Sequence, residues 1–185
     1  MKFHPGDERT FFMDDCESML RAIELAKQAA ILDEVPVGAV VTHNGVIVGE
    51  GFNRRETGKN ALAHAEIEAI NMACNTLGGW RLAECEMFVT LEPCPMCTGA
   101  IINSRVKRVV FGAYDYKSGS MGSVVNLCDL PYNSKPRIEG GFMKDECAAL
   151  LSEFFAALRV RKAEEKRKRK EELSGCTCTS DKTQS

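Results

Sequence analysis

The spacing of apolar residues in the first part of the chain changes from a helical period to a strand period. From Asp14 to about Leu32, apolar side chains recur three or four residues apart, which predicts a surface helix capped by Asp14 or Asp15. Two strand-like runs, Val37 to Val41 and Val46 to Phe52, flank Asn44-Gly45. This dipeptide is typical of a tight hairpin turn, so a β-hairpin is predicted to follow the helix.

Four further elements are predicted up to residue 112. A helical pattern from about Ala63 to Leu77 ends at Gly78-Gly79, and a strand from Glu86 to Leu91 follows. Pro93 is expected to open a short helix through about Asn103, and Arg108 to Gly112 resembles a strand. The predicted order is therefore α-β-β-α-β-α-β.

The remainder of the chain is less regular. Tyr116 to Pro136 is predicted to be loop with a short turn of helix, and Arg137 to Glu139 an edge strand. A long helical pattern runs from Lys144 to about Leu173, and residues 174–185 are expected to be a disordered tail. Strands that alternate with helices favour a three-layer α/β domain, taken here as one domain over residues 1–173.

Composition agrees with a single domain. A chain of 185 residues with 44% hydrophobic content can bury one sizeable core. No apolar stretch approaches the length of a membrane span, and Met1 to Glu8 is polar and mixed in charge. The protein is therefore expected to be cytoplasmic and not associated with a membrane.

The nine cysteines favour reduced thiols and metal ligation over a disulfide framework, because the number is odd and no export signal is visible. Five of them occur in helix-like or strand-like stretches and are interpreted as small buried hydrophobes. These are Cys16, Cys74, Cys85, Cys128 and Cys147. Cys176 and Cys178 are assigned to the inert tail.

Charge is distributed unevenly, although the net charge is only −2. Up to Asn103 there are 8 lysines and arginines against 15 acidic residues, and from Ser104 onward there are 16 against 11. The net charge therefore argues neither for nor against a nucleic-acid partner, but basic surface is concentrated late in the chain.

Two short motifs carry candidate chemistry. Cys94 and Cys97 lie three residues apart at the predicted start of a helix, where they share a face and where the helix dipole favours thiolates. His64 and Glu66 lie at the start of another helix and can both address one site only if that helix end points at it. Together the motifs offer three metal ligands and a carboxylate.

Three protein ligands leave a fourth tetrahedral position for water, which is the mark of a catalytic zinc site. Such a site activates water at neutral pH, and Glu66 would then move the proton. A Cys-x-x-Cys pair alone would also fit half of a structural zinc site or a redox pair. A structural site requires a fourth ligand, and no other motif in the chain offers one.

His64-Ala65-Glu66 with Pro93-Cys94-x-x-Cys97 resembles the signature of the zinc-dependent cytidine/deoxycytidylate deaminase superfamily. Glu34 to Val40, Gly51 to Asn53, Val89 to Cys94, Arg108 to Ala113 and Asp145 to Ser152 further resemble bacterial tRNA-specific adenosine deaminases. This resemblance covers about Asp14 to Arg159. It implies a three-layer α/β/α, cytidine-deaminase-like domain with a central mixed sheet and a long C-terminal helix.

The resemblance also implies substrate contacts. Asn53 would hydrogen-bond the purine, the Ala65 backbone amide would help hold it, and Val37 would line the pocket. Asp115 would contact ribose and loop backbone, and Arg159 the RNA. Two simpler readings remain open, in which Asn53 ends a strand and Asp115 caps a turn.

The basic run from Arg159 to Lys170 has two interpretations as well. It would fit tRNA phosphates, or it is a solvated helix with the i,i+4 pairs Glu164/Lys168 and Glu165/Arg169.

The activity implied is hydrolytic deamination of adenosine to inosine at the wobble position of a tRNA anticodon. One Zn²⁺ per subunit, a homodimer and a tRNA anticodon stem-loop as partner are implied with it. The competing hypotheses are a deaminase of free guanine, cytosine or a nucleoside, and a non-catalytic zinc protein that binds RNA beside an active partner.

Overall fold

The first helix shows how local sequence sets an element boundary. In the computed structural model, which describes residues 13–175, α1 spans Asp15–Ile31. Asp14 is its N-cap, and the Asp14 and Glu17 side chains each accept a hydrogen bond from the other residue's backbone N–H. This capping box satisfies two amide donors that the first turn leaves free, so the predicted start at Asp14 is confirmed.

The predicted hairpin is confirmed and consists of β1 (Gly38–His43) and β2 (Val46–Phe52). Asn44 and Gly45 have φ of 51° and 72°, the positive values that a type I′ turn requires. The register shifts between Val41 and Thr42, which marks a bulge close to the turn.

The other elements follow in the predicted order. They are α2 (Ala65–Leu77), β3 (Cys85–Leu91), α3 (Pro95–Ser104), β4 (Arg108–Ala113), a 3-10 helix (Leu127–Asp129), β5 (Arg137–Gly140) and α4 (Lys144–Gly175). Gly78 ends α2 in the left-handed conformation, with φ of 71°.

The predicted start of α3 was wrong. Helix α3 begins at Pro95 and not at Pro93, and Cys94 is its extended N-cap with φ −73° and ψ 173°. The reason is steric, because a proline disfavours helical backbone in the residue before it. Pro95 therefore keeps Cys94 out of the helix while occupying the first helical position itself.

The five strands form one mixed sheet in the order β2-β1-β3-β4-β5. Strand β1 pairs antiparallel with β2 and β3, whereas β4 pairs parallel with β3 and β5. The carboxyl ends of β3 and β4 therefore lie at the same edge of the sheet. The segments that leave this edge are the ones that carry the cysteine motif and Asp115.

Helices cover both faces of the sheet. Ala69 of α2 and Ile101 of α3 pack with Met87 on one face, and Met19 of α1 and Cys147 of α4 pack with Phe88 on the other. The predicted three-layer α/β/α arrangement is thus confirmed.

The cysteines follow the predicted burial only in part. Cys85, Cys128 and Cys147 are buried and Cys74 is half-buried, but Cys16 is exposed. Cys16 follows the first residue of α1 and lies on its solvent side, so helical position and not residue type decides its exposure.

Gly51 fixes how closely α2 approaches β2. A Cβ atom at this position would lie 2.2 Å from the carbonyl oxygen of Ala65, the first residue of α2. Only glycine permits this contact, so the height of the α2 N-terminus above the sheet depends on it.

The chain divides into a unit up to Leu151 and a second unit from Ser152, which contains the rest of α4. The single-domain assignment of residues 1–173 stays a prediction. Helix α4 runs to Gly175, two residues beyond its expected end, and residues 176–185 of the expected tail lie outside the described part of the chain. No helix within residues 13–175 is long and apolar enough to cross a membrane.

Candidate active site

His64, Ala65 and Glu66 occupy the N-terminus of α2. His64 is the extended N-cap and its side chain makes no capping hydrogen bond, so the imidazole is directed elsewhere. Glu66 is the second helical residue and is only 4% exposed. The predicted requirement that both side chains lie at a helix start is met.

Cys94 and Cys97 occupy the N-terminus of α3, which follows the carboxyl end of β3. Cys94 is the half-buried N-cap, and Cys97 is buried in the first turn. Amide N–H groups of a first helical turn point away from the helix and favour nearby negative charge. The Cys94 side chain therefore lies where a thiolate is stabilised, and its pKa is lowered in part by the Cys97 backbone N–H.

The two helix starts converge. His64 Nδ1 lies 3.8 Å from Cys94 Sγ and 3.5 Å from Cys97 Sγ, and the three ligand atoms are within 4.8 Å of one another. A tetrahedral zinc ion, with bonds of about 2.3 Å to sulfur and about 2.0 Å to nitrogen, separates its nitrogen and sulfur ligands by about 3.5 Å. The donor set and its spacing therefore fit zinc.

The electrostatics of the thiols agree with ligation. Hydrogen bonds from the Cys97 thiol and from His64 outweigh burial and lower the pKa of Cys94 to about 4. The same contact with Cys94, together with burial, raises the pKa of Cys97. The hydrogen bond to Cys94 also raises the pKa of His64. A cation held by the three groups would displace the protons that they share.

Glu66 is a buried carboxylate beside this cluster. Burial raises its pKa, the negative charge of Cys94 acts in the same direction, and the positive charge of His64 opposes both. A raised carboxyl pKa is common for groups that transfer protons.

Asn53 ends the hairpin and joins it to the start of α2. Its Oδ1 accepts a hydrogen bond from Ala65 N–H at 3.0 Å, and its Nδ2 donates to the Val35 carbonyl at 3.1 Å. The Asn53 backbone N–H donates to the carbonyl of Val37, whose side chain is buried. The three predicted substrate contacts are thus brought together. The Ala65 amide already has Asn53 as its partner.

Asp115 caps a turn, which was the simpler of its two predicted readings. Its Oδ1 accepts from the backbone N–H groups of Lys117 at 2.9 Å and Ser118 at 3.2 Å. These donors, with the Ser118 hydroxyl, outweigh partial burial and lower the pKa of Asp115. Arg159 belongs to the second unit, where its side chain is exposed on α4.

Glu92 is a residue of this region that the motifs did not single out. It directly follows β3, is 2% exposed, and accepts hydrogen bonds from the backbone N–H groups of Asp115, Met121 and Ser123 at 3.0–3.2 Å. The Ser123 hydroxyl donates to the same carboxylate. Glu92 therefore anchors the loop of residues 114–123 to the segment that carries the cysteines. A charged residue at a strand end was the only local sign of this role.

Glu34 is a second buried carboxylate that anchors a loop. It is 1% exposed and accepts hydrogen bonds from the Thr57 backbone N–H at 2.7 Å and from the Thr57 hydroxyl at 2.9 Å. Burial would raise the pKa of Glu34, but these bonds and the amides of Glu56 and Arg55 lower it. The loop between Asn53 and His64 is fixed by this contact.

The protein has one sheet between two layers of helices, and the N-termini of two helices bring a His, a Glu and two Cys side chains together. This combination defines the cytidine-deaminase-like class of hydrolases. The family model of MafB19-like deaminases matches residues 13–159. The chain belongs to this deaminase family.

Individual relatives agree. The chain is 46% identical over 145 residues to the tRNA-specific adenosine deaminase of Bacillus subtilis, covering 78% of this chain and 90% of the relative. A structure from a study of A-to-I editing by tRNA:A34 deaminases at the wobble position superposes with a TM-score of 0.72 and 38% identity, over 74% of this chain and 99% of that one. A guanine deaminase from Nitrosomonas europaea gives 0.69 and 27%, over 78% and 86%.

Proposed function

We propose that this protein is a zinc-dependent hydrolase that converts adenosine to inosine at the wobble position of a tRNA anticodon. The observation that carries the proposal is the convergence of His64, Cys94 and Cys97 beside the buried Glu66. Three protein ligands would leave the fourth tetrahedral position of a zinc ion to water, as a hydrolytic site requires. The tRNA-specific names of relatives at 39–46% identity support adenosine in tRNA as the substrate.

The residues fit one zinc ion per subunit, held by His64 Nδ1 and the two Sγ atoms. When bound, zinc supplies Lewis-acid activation of the water that attacks the purine carbon bearing the amine. Glu66 takes one proton from this water and delivers it to the ring nitrogen, and then moves the remaining proton of the added hydroxyl to the departing amine. Ammonia leaves, and the product is inosine.

The purine is held by the group around Asn53. Each end of the Asn53 amide makes one hydrogen bond within the protein, which leaves one N–H and one oxygen lone pair for a ligand. Because Ala65 N–H is engaged by Asn53, we propose that the Ala65 amide holds the purine indirectly, by orienting that side chain. Val37 provides an apolar wall beside it.

An unpaired loop is the chemically reasonable form of the substrate, since a base inside a duplex cannot reach a buried carboxylate. Asp115 holds the turn at the carboxyl end of β4, where its remaining lone pairs can accept from a ribose hydroxyl. Arg159 offers an exposed guanidinium for a phosphate.

The basic run that follows Arg159 has a one-sided arrangement. At 3.6 residues per turn, one face of α4 presents five basic side chains without an acidic residue between them. We call this face the basic stripe: Arg159, Lys162, Lys166, Arg169 and Lys170. The four glutamates of residues 164–172 lie on the remaining faces.

Within the described residues, no carboxylate is in salt-bridge distance of the basic stripe, whereas Arg167 and Glu171 on another face pair at 3.6 Å. The proposed pairs Glu164/Lys168 and Glu165/Arg169 are not formed. This pattern favours phosphate binding by the basic stripe over an internally paired helix.

The family resemblance supports a homodimer, with the RNA bound across the subunit interface. Met72 and Leu77 of α2 and Trp80 beyond its end are 38–53% exposed and offer apolar surface for a second copy. The cytoplasm is the proposed compartment because tRNA is the proposed substrate.

A substrate panel tests the proposal. The zinc-loaded chain is incubated with an anticodon stem-loop that carries a wobble adenosine, with the same strand in a full duplex, and separately with free guanine, cytosine, adenosine and cytidine. Mass spectrometry should detect inosine from the unpaired stem-loop alone. Conversion of the free bases only would support the guanine-deaminase alternative, which the Nitrosomonas relative represents. Zinc-dependent RNA binding without any deamination would support the non-catalytic alternative.

A further inference from the structure

Three aromatic rings lead from the core of the sheet to the surface at the end of β4. Phe111 is buried, and Tyr114 meets it edge-to-face with ring centroids 5.2 Å apart. Tyr116 stacks on Tyr114 at 6.3 Å with an interplanar angle of 19°. The exposed fraction rises along the series from 2% to 37% to 75%. The outermost ring is therefore fixed by stacking on one side and open to solvent elsewhere.

The loop that carries this ring is bonded to the metal-ligand segment. Asp115 immediately precedes Tyr116, and its backbone N–H donates to the Glu92 carboxylate at 3.2 Å. Further along the same loop, Ser120 N–H donates to the carbonyl of Pro93 at 2.9 Å. Pro93 directly precedes Cys94. Tyr116 is thus displayed on a turn that is held rigidly against the candidate active site.

A ring in this position matches a nucleobase. Unpaired bases in RNA loops are recognised by stacking on aromatic side chains, and such stacking tolerates any base because each has a π face. Lys117 adjoins Tyr116 in sequence, and the Lys144 Nζ lies 5.8 Å from the centre of the Tyr114 ring. Both cations suit the phosphates that accompany a base. A single exposed tyrosine is ordinary, but a rigid stacked pair beside a catalytic centre is not.

We propose that Tyr116 is a stacking platform for a nucleobase that flanks the target adenosine in the unpaired loop. The proposal rests on the proposed function, because it takes single-stranded RNA as the ligand. It adds a recognition residue that neither the zinc site nor the group around Asn53 includes. Stacking of the flanking base would hold the RNA backbone in a conformation that turns the bases outward, and so favour entry of the adjacent adenosine into the candidate active site.

The test compares three variants of the full, zinc-loaded chain. Tyr116→Leu removes the ring, Tyr116→Phe keeps it, and Tyr132→Leu removes a tyrosine that is 47% exposed in another loop. On an anticodon stem-loop, Tyr116→Leu should lower kcat/KM about 5- to 100-fold, mainly through KM, as expected for the loss of one stacked base. Tyr116→Phe and Tyr132→Leu should stay within about twofold of the unaltered chain.

Abasic substrates locate the partner base. Stem-loops that lack the base on the 5′ or the 3′ side of the adenosine are assayed with the unaltered chain and with Tyr116→Leu. At one of the two positions, removal of the base should abolish the difference between the proteins. A difference that persists on both abasic substrates, or a Tyr116→Leu variant with unchanged kinetics on all of them, would overturn the platform.

A binding measurement separates this proposal from the proposed function. A stem-loop with 2-aminopurine at the flanking position that the abasic substrates identify should lose fluorescence on binding to the unaltered chain and to Tyr116→Phe, but not to Tyr116→Leu. If no inosine forms, the proposed function fails while the quenching still tests the platform. If inosine forms and quenching is equal in all variants, only the platform fails.

Discussion

The Asn53 side chain accepts a hydrogen bond from the backbone N–H of Ala65 at 3.0 Å, so the end of β2 is joined to the first residue of α2. The same side chain donates to the Val35 carbonyl. His64 and Glu66 flank Ala65 on either side. The contact therefore sets the position of a candidate ligand and of the candidate proton carrier in one step.

Asn53→Ala should impair both stability and activity. It leaves a buried amide at the start of α2 without its partner, which costs about 1–3 kcal/mol in the free energy of unfolding. Activity on the stem-loop should fall by more than about 100-fold, because the purine also loses a hydrogen-bonding residue. Urea denaturation and inosine formation measure the two effects. Asn126→Ala, which removes the cap of the 3-10 helix, is the control and should leave kcat nearly unchanged.

Glu92→Gln should loosen the loop of residues 114–123. An amide offers one acceptor oxygen where the carboxylate offers two, and its NH₂ group would face the N–H donors of Met121 and Ser123 in one orientation and that of Asp115 in the other. We expect a loss of about 1–3 kcal/mol, faster hydrogen exchange in this loop and a lower kcat/KM with unchanged zinc content. Glu84→Gln removes an exposed carboxylate paired with Lys107 and should change none of these quantities. Unaltered exchange in Glu92→Gln would contradict the anchoring role.

The ion pairs of Arg108 should make the free energy of unfolding depend on pH in the acidic range. Its guanidinium contacts Asp15, Glu86 and Glu139, and hydrogen bonds from Arg108 lower the pKa of Asp15 below 3.8 and that of Glu139 below 4.5. A depressed folded-state pKa contributes stability above the unfolded pKa, and this is lost as the pH falls through the folded value.

The variant Arg108→Met should therefore be less stable at neutral pH, by about 1–3 kcal/mol because the carboxylates are partly exposed. Its free energy of unfolding should fall less steeply than that of the unaltered chain between about pH 5 and pH 2. Urea denaturation across this range provides the comparison, with the exposed Arg81→Met as control. If the free energy of unfolding has the same pH dependence in Arg108→Met and in the unaltered chain, the ion pairs of Arg108 are not the cause of the loss of stability in acid.

The basic stripe should contribute to RNA affinity without affecting chemistry. The triple variant Lys162→Gln, Lys166→Gln, Lys170→Gln should bind the stem-loop more weakly and reduce the slope of log affinity against log salt by about 2 to 3. The control removes three charges from the other faces of the same helix: Arg161→Gln, Arg167→Gln and Lys168→Gln. Equal slopes in the two variants would show that net charge, and not the stripe, determines binding.

Local sequence patterns were sufficient to predict most of the helices, strands and turns. Asn44-Gly45 specifies a turn by its own backbone preferences, and Asp14 with Glu17 specifies a helix start. The metal ligands could also be predicted from the sequence, because the spacing of Cys94 and Cys97 corresponds to one helical turn. The start of α3 was misplaced because two prolines compete for it, and the effect of Pro95 on the preceding residue decides between them.

Long-range contacts could not be predicted in the same way. Glu92 meets donors 23 to 31 residues away, and Glu34 meets Thr57 23 residues away. No periodic pattern encodes such partners, since they depend on which strand ends meet at one edge of the sheet. The stacking of Tyr116 on Tyr114 is equally invisible in the sequence, where the two tyrosines flank an aspartate.

The central claim is that the cluster of His64, Cys94 and Cys97 deaminates adenosine in RNA with Glu66 as the proton carrier. Its most direct test is inosine formation on the anticodon stem-loop under single turnover, by the unaltered chain and by Glu66→Gln at equal, measured zinc content. The unaltered chain should form inosine and ammonia in equal amounts, and Glu66→Gln should be slower by at least about 100-fold. Full activity in Glu66→Gln, or no inosine from the zinc-loaded chain, would contradict the account.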